Sequence, residues 1–201
     1  MASALPAQPP ASGSPPFPIA RFSVDQYHRM IQSGAFTEDD RFELIEGWVV
    51  TKMAKGPAHE YVTGRADEIL RELVPRGWHV RNQAPITLGD SEPEPDLSIA
   101  RGERGAFRDR HPGASDVALV VEVSDTTLAT DRLKARVYAA SGIAEYWIVN
   151  LSERCVEVYR RATGTSETGY ATCAVLLEHD GIRLELDGTE CGTVSVAALL
   201  P

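Results

Sequence analysis

Close cysteine pairs are missing from this sequence. Its 201 residues include three cysteines, Cys155, Cys173 and Cys191, which are spaced 18 positions apart. Structural zinc sites are built from pairs such as Cys-x-x-Cys, and no such pair occurs here. We therefore expect no zinc site and three reduced thiols on strands.

Long apolar runs are missing as well. No run approaches the roughly 18 residues that a membrane-spanning helix needs. The first residues lack the basic segment of a signal peptide, and proline interrupts every apolar stretch that could follow it. The sequence therefore predicts a cytoplasmic protein without a membrane segment.

Positive charge is scarce relative to negative charge. The chain has 20 lysines and arginines against 29 acids, which gives a net charge of −9 and a pI near 5.0. A protein that binds nucleic acid without sequence preference usually has a basic surface, so the charge argues against that class. It does not exclude a nuclease, because catalytic acids add negative charge and bound Mg²⁺ changes the local sign.

The chain divides into a tail and one domain. Residues 1–20 hold six of the 13 prolines and no charged side chain, which is typical of a disordered segment. Residues 21–201 are enough for a single domain with a sizeable core.

Apolar periodicity predicts the elements of that domain. Helices are predicted after Ser23, over residues 58–73, over about 130–141 and over 195–200. Strands are predicted over residues 41–50 (two strands turning near Gly47), 78–86, 96–100, 117–123 and 145–150, and in a closing antiparallel meander of 155–160, 171–177 and 182–186. The helix near residue 130 is expected to bury Leu133, Val137 and Ala140.

Glu122 is the most informative residue. It lies within Val117–Val123, an apolar run without alternation that indicates a central strand buried on both faces. A carboxylate there is costly unless it is paired, protonated or bound to a metal. Strand alternation places it on the same side as Val120 and Ala118.

Asp96 is a second acid that can reach the same place. It opens a strand directly after Pro95, where its side chain can approach the end of a neighbouring strand. Together with Glu122 and a backbone carbonyl such as that of Val123, it would form a hard oxygen site for Mg²⁺ or Mn²⁺.

Lys134 follows on the next helix, at the edge of the predicted buried stripe. An amine there could orient the attacking water or stabilise charge on a phosphate. The alternative is a surface lysine paired with Asp131, three positions before it. Glu43 and His59 have similar alternatives: Glu43 is solvated or faces a site, and His59 is a packed histidine or a catalytic one.

A loop over residues 101–113 is the most basic part of the chain. It carries Arg101, Arg104, Arg108, Arg110 and His111. It could hold phosphates or be an ordinary solvated loop.

Several short motifs occur in a fixed order along the chain: Phe42-Glu-Leu-Ile-Glu-Gly47, Pro95-Asp96, Val120-Val-Glu-Val-Ser124, Asp131-Arg-Leu-Lys134, Tyr138 and Gly142-Ile-Ala-Glu-Tyr-Trp147. Over residues 23–199 this ordered set resembles the Uma-type restriction endonuclease family of the PD-(D/E)XK nuclease superfamily. The resemblance implies an α+β or α/β fold, with a mixed central sheet flanked by helices as in restriction endonucleases. It also implies hydrolysis of DNA with a divalent metal.

The resemblance assigns roles to residues of this chain. Asp96 and Glu122 match the two acids of the superfamily pattern, and Glu43 matches an acid early in the family pattern. The superfamily lysine normally lies two positions after the second acid, where this chain has Ser124. The family resembled here places the lysine on the following helix, which implies Lys134.

Supporting roles and alternatives complete the expectation. Tyr138, His59 and Asp131 are expected to support the catalytic groups, and a homodimer would allow two strands to be cut. One alternative is a catalytically inactive nuclease-fold module that binds nucleic acid or protein, which the acidic charge and Ser124 favour. Another is a metal-dependent phosphoesterase that acts on small substrates.

Overall fold

The computed structural model describes residues 18–37, 39–163 and 168–201. The tail predicted over residues 1–20 lies outside the described residues, except for its last three.

The described residues form four α-helices and ten strands. The helices are α1 (Val24–Gln32), α2 (Pro57–Leu73), α3 (Leu128–Ala140) and α4 (Val196–Leu199). The strands are β1 (Phe42–Ile45), β2 (Trp48–Thr51), β3 (Trp78–Asn82), β4 (Leu97–Arg101), β5 (Val117–Ser124), β6 (Glu145–Asn150), β7 (Cys155–Ala162), β8 (Tyr170–Leu177), β9 (Gly181–Leu186) and β10 (Thr189–Ser195). None of the described helices combines the length and apolar character required to cross a bilayer.

A six-stranded sheet forms the centre of the molecule. Its strand order is β3-β4-β5-β6-β7-β8. Only β5 and β6 run parallel within it, because helix α3 carries the chain from one to the other; the remaining neighbours are antiparallel. Two hairpins, β1–β2 and β9–β10, form separate two-stranded sheets. The predicted mixed sheet with flanking helices is confirmed.

The sheet has a core on each face. Helix α2 buries Val62, Ala66 and Leu70 in a cluster that includes Val121 and the β9–β10 hairpin. Helix α3 lies over the other face, where Tyr138 belongs to a second cluster. Because both faces are covered, β5 is buried along nearly all of its length, as its apolar sequence predicts.

A bulge in β5 contradicts the expectation that Ala118 and Glu122 lie on the same side of the sheet. Ile99 pairs with Leu119 while Ala100 pairs with Val117, so Ala118 is an extra residue in the ladder. Ala118 therefore packs against the α2-side cluster, whereas Val120 belongs to the α3-side cluster. The predicted common side for Ala118 and Glu122 is wrong.

Helix α3 buries a different stripe from the predicted one. Val137 is buried, but Leu133 is 60% exposed and Ala140 is exposed as well. The residues that face the sheet include Asp131, Lys134 and Tyr138. Apolar periodicity predicts the wrong buried face for this helix because polar side chains occupy that face, and two of them, Lys134 and Tyr138, contact the buried Glu122.

The C-terminal strands differ from the predicted meander. Strands β7 and β8 pair in the central sheet as expected, but β9 pairs with β10 in its own hairpin. The sequence did not reveal β10, because Gly192 adopts a φ of +150° at an irregularity that breaks the alternation. The strand predicted over residues 78–86 ends at Asn82.

Candidate active site

The candidate site is a cleft between the β1–β2 hairpin, the first turns of α2 and α3, and the adjoining ends of β4 and β5. Asp96 comes directly before β4, and β4 runs antiparallel to β5, with Leu97 opposite Val121. This register places the beginning of β4 beside Glu122 near the end of β5. The crossover from β5 then brings α3 back over the same end of the sheet.

The two predicted acids, Asp96 and Glu122, are joined through the backbone. The Asp96 amide donates to Oε2 of Glu122 over 3.2 Å, and the Val123 amide donates to Oδ2 of Asp96 over 2.8 Å. Both side chains are buried. The two strands therefore hold the carboxylates next to each other.

Lys134 joins the acids from the helix side. Its Nζ lies 3.1 Å from Oε1 of Glu122 and 3.0 Å from Oε1 of Glu43. Glu43 reaches it from β1 and accepts a hydrogen bond from the Glu94 amide over 3.2 Å. Lys134 is buried, so it is not the surface lysine of the alternative interpretation. The structure thus brings all four predicted catalytic residues together.

The three predicted supporting residues also line this cluster. Tyr138 donates its hydroxyl to Oε1 of Glu122 over 3.0 Å. Nε2 of His59 lies 3.0 Å from Oδ2 of Asp96. Asp131 is buried and accepts a hydrogen bond from the Thr127 hydroxyl over 2.6 Å. Each of them either fixes a carboxylate or adds one to the same cleft.

Lys55 is a residue that the sequence interpretation missed. It follows β2, and its Nζ lies 2.7 Å from Oδ1 of Asp96. The chain has only three lysines among its 20 basic residues, Lys52, Lys55 and Lys134, and all three line this cleft. The rarity of lysine was the signal that could have identified Lys55.

Negative charge exceeds positive charge in the cleft. Three lysines and six acids line it; the acids are Glu43, Glu94, Asp96, Glu122, Asp125 and Asp131. Burial raises the pKa of Glu122 from its ordinary 4.5 to about 8, and the charges of Asp96, Asp131 and Glu43 add to the effect while Lys134 opposes it. Glu122 therefore keeps a proton to a higher pH than an exposed glutamate does.

The pKa values of Asp96 and Lys134 are shifted in the directions that keep both charged. Burial raises the pKa of Asp96, but the hydrogen bond from His59 and the charge of Lys55 outweigh it, so the net shift is downward. Burial lowers the pKa of Lys134, but Glu122 and Glu43 raise it above its usual range. The surroundings therefore favour the charged forms of both Asp96 and Lys134 although both side chains are buried.

The cleft has room and ligands for a hard cation. Its volume is about 90 Å³, whereas one water molecule needs about 10–15 Å³ on this measure. In the described part of the chain, no three His, Cys, Asp or Glu side chains are grouped so that they could hold a metal by themselves. Mg²⁺ does not require such a group, because it usually binds through one or two carboxylates and keeps several waters. The oxygen-rich, negatively charged cleft therefore fits Mg²⁺ or Mn²⁺ better than a softer metal.

The basic loop over residues 101–113 does not line the cleft. Arg108 pairs with Asp109, and Arg110 pairs with Asp116. Arg101 pairs with Asp187 and lies over the ring of Trp78. Acids of the same molecule therefore compensate much of the loop's charge.

The fold is that of a nuclease-like domain. The crystal structure of a "putative nuclease belonging to DUF820" from Anabaena variabilis matches it with a TM-score of 0.63. That protein is 18% identical in sequence, and the match covers 89% of this chain and 97% of that chain. The Uma2 family, described as "Putative restriction endonuclease", matches residues 24–192. The chain belongs to the Uma2 family, as the resemblance of its motifs predicted. A search of curated proteins finds no match.

Proposed function

We propose that the protein is an endonuclease that hydrolyses DNA phosphodiester bonds with the help of Mg²⁺ or Mn²⁺. One observation carries this proposal: a buried lysine lies within 3.1 Å of Glu122 and of Glu43, and Glu122 accepts a hydrogen bond from the backbone of Asp96. Two acids and an amine at one place, in a fold shared with nucleases, are the groups that metal-assisted phosphodiester hydrolysis requires.

Asp96 and Glu122 would hold the cation, with the Val123 carbonyl as a third ligand. When bound, the cation would lower the pKa of water and shield the charge of the phosphate. A bound cation would also offset the repulsion among the acids of the cleft, which together with burial raises the pKa of Glu122.

Lys134 would act on the water or on the phosphate. Its ammonium group can donate hydrogen bonds to the attacking water, or to the phosphate oxygen on which negative charge develops. Glu43 and Glu122 fix its position from two sides. An amine from α3 would thereby do the work of the lysine that position 124 lacks.

The remaining groups would hold and cover the acids. Tyr138 orients Glu122 through its hydroxyl, and His59 orients Asp96 through Nε2. Lys55 lies in the same cleft, where its charge offsets the repulsion between the acids and an approaching phosphate.

A nuclease-fold binding module without activity is the second candidate, and one observation favours it. Both oxygens of Asp96 already have partners, since Oδ1 contacts Lys55 and Oδ2 contacts His59 and the Val123 amide. A cation must compete with these groups. If it cannot, the cleft is a closed network of salt bridges rather than a catalytic centre.

Plasmid cleavage distinguishes the two candidates. Supercoiled plasmid is incubated with the wild type, Lys134→Met and Lys52→Met, in Mg²⁺ or Mn²⁺ and again with a chelator. Loss of a preorganised charge typically costs about 10²–10³-fold in rate, so Lys134→Met should lose nearly all cleavage. Lys52→Met changes another lysine of the same cleft, paired with Glu94, and should stay within a few-fold of the wild type.

Calorimetry with Mn²⁺ completes the test, using Glu122→Gln as the variant. Absence of cleavage, with or without Mn²⁺ binding, would favour the inactive module, and cleavage of a chromogenic phosphodiester but not of plasmid would favour a small-substrate phosphoesterase. Nicking that survives both Lys134→Met and Glu122→Gln would contradict the proposed site. The cytoplasmic location and the homodimer expected from the sequence stay predictions.

A further inference from the structure

Strand β8 is the last strand of the central sheet, and its outer edge has no partner strand in the described part of the chain. The hydrogen bonds of its ladder run to β7. Among the described residues, no backbone hydrogen bond from elsewhere reaches residues 171–176. The outward N–H and C=O groups of these residues are therefore available to another strand.

The sequence of β8 leaves this edge unprotected. It reads Tyr170-Ala-Thr-Cys-Ala-Val-Leu-Leu177, with no charge, proline or glycine. Residues 171–175 are all exposed, and Val175 and Leu177 are 57% and 48% exposed. Sheets normally protect an exposed edge with charged residues, proline, bulges or a short strand.

The opposite edge of the same sheet shows that protection. Strand β3 has five residues, and two of them are His79 and Arg81. A short edge with basic side chains does not readily accept another strand. An unprotected edge is therefore not a general property of this sheet. The contrast between the two edges indicates that the exposed edge of β8 is a contact surface.

We propose that β8 pairs antiparallel with β8 of a second copy of this chain, which forms a two-fold dimer with one continuous sheet. The composition of β8 favours a second copy as the occupant: when β8 pairs with itself, no charged side chain of the strand faces a like charge, and the exposed Val175 and Leu177 of each copy are covered. Two-fold pairing of identical patches is also the commonest arrangement of homodimers. The interface does not depend on the proposed nuclease activity.

Strand geometry restricts the register of this pairing. A two-fold axis perpendicular to the sheet keeps each face on its own side, so residues of equal parity must lie opposite each other. The two registers that pair most of β8 with its copy are centred on Cys173 or on Ala174. In the register centred on Cys173, the Cβ atoms of the two Cys173 residues lie opposite each other, about 4.5–5.5 Å apart. In the register centred on Ala174, the two Cys173 residues are diagonal neighbours, about 7–8 Å apart. Val175 is covered in both.

The mass of the full-length protein in solution tests the proposal. By sedimentation velocity over a concentration series, the wild type should reach twice its chain mass of 21.9 kDa. Val175→Lys adds a like charge to each copy at the shared edge and should raise the dimer dissociation constant at least about tenfold. Tyr61→Lys is the matched control, because Tyr61 is 56% exposed on α2, and this variant should dimerise as the wild type does.

Cross-linking through Cys173 locates the interface. A short bismaleimide should link the wild type into a dimer and should fail with Cys173→Ser, while Cys191→Ser should still be linked. The proposal is overturned if the wild type stays monomeric at every concentration. That outcome includes the case in which β8 binds a strand of another protein instead. It is equally overturned by a dimer that tolerates Val175→Lys in a variant with an unchanged circular dichroism spectrum, or by one that cross-links only through Cys191.

Discussion

Glu122→Gln should make the stability of the folded protein less dependent on pH. Burial raises the pKa of Glu122 from 4.5 to about 8, so the folded protein keeps a proton that the unfolded chain has already lost. The unfolded state therefore binds fewer protons between these pH values, and the free energy of unfolding falls as the pH rises. The stabilisation is complete below about pH 4.5 and is lost by about pH 8.

The size of the effect follows from the width of that window. Each pH unit corresponds to up to about 1.4 kcal/mol, so a span of about 3.5 units gives a limit of about 5 kcal/mol. Glutamine keeps an oxygen for Lys134 and Tyr138 but has no proton to lose. The variant also lacks the oxygen that accepts from the Asp96 amide, but this loss is the same at every pH. Between pH 5 and pH 8 the wild type should therefore lose several kcal/mol more stability than the variant.

Urea unfolding at one-unit steps from pH 5 to 8, with a chelator present, measures this difference. Glu60→Gln makes the same chemical change at an exposed position of α2 and serves as the matched control. Added Mn²⁺ should stabilise the wild type more at pH 8 than at pH 6, because the cation replaces the proton. If the free energy of unfolding changed with pH in the same way for the wild type and Glu122→Gln, the reasoning would be refuted. That result would mean that Glu122 is already ionised in the folded protein at pH 5.

Three further changes have defined outcomes. Tyr138→Phe removes a hydrogen bond to a buried carboxyl and should lower the free energy of unfolding by about 1–3 kcal/mol, measured by urea titration. Lys55→Ala removes a competitor for Asp96 and should tighten Mn²⁺ binding about fivefold in calorimetry, which matches an ion pair worth about 1 kcal/mol; unchanged affinity would mean that Lys55 does not compete. Gly47→Ala should cost at least about 1–2 kcal/mol in the same urea assay, because Gly47 has a φ of +78° and an added Cβ would lie 2.7 Å from Cβ of Arg21.

Periodicity and turn chemistry predicted most of the fold. The β1–β2 hairpin turns at Gly47, α2 begins one residue before its predicted start, and β5 has the buried character of its apolar run. The failures share a physical cause. The amphipathic pattern of α3 was misread because its sheet-facing stripe carries Asp131 and Lys134, and β10 was missed because Gly192 interrupts its alternation.

The candidate site was predictable only in part. A buried carboxylate alone would not have identified it, because Glu157 and Glu145 are buried as well and pair with Arg132 and Arg160. What distinguishes Glu122 is the second acid beside it, Asp96. To predict that proximity, one must know that β4 and β5 are neighbours in the sheet. Glu43 came from the family resemblance, and Lys55 lies in a segment between β2 and α2 whose course no periodicity specifies.

The placement of every lysine in one cleft has a practical consequence. Reagents that modify primary amines would label this cleft and the chain terminus, so coupling to a sensor surface through amines would block the candidate site. A protease specific for lysine would cut only after Lys52, Lys55 and Lys134, so its rate of digestion would report how often the cleft opens. Protection of those three bonds by added Mn²⁺ would be visible on an ordinary gel.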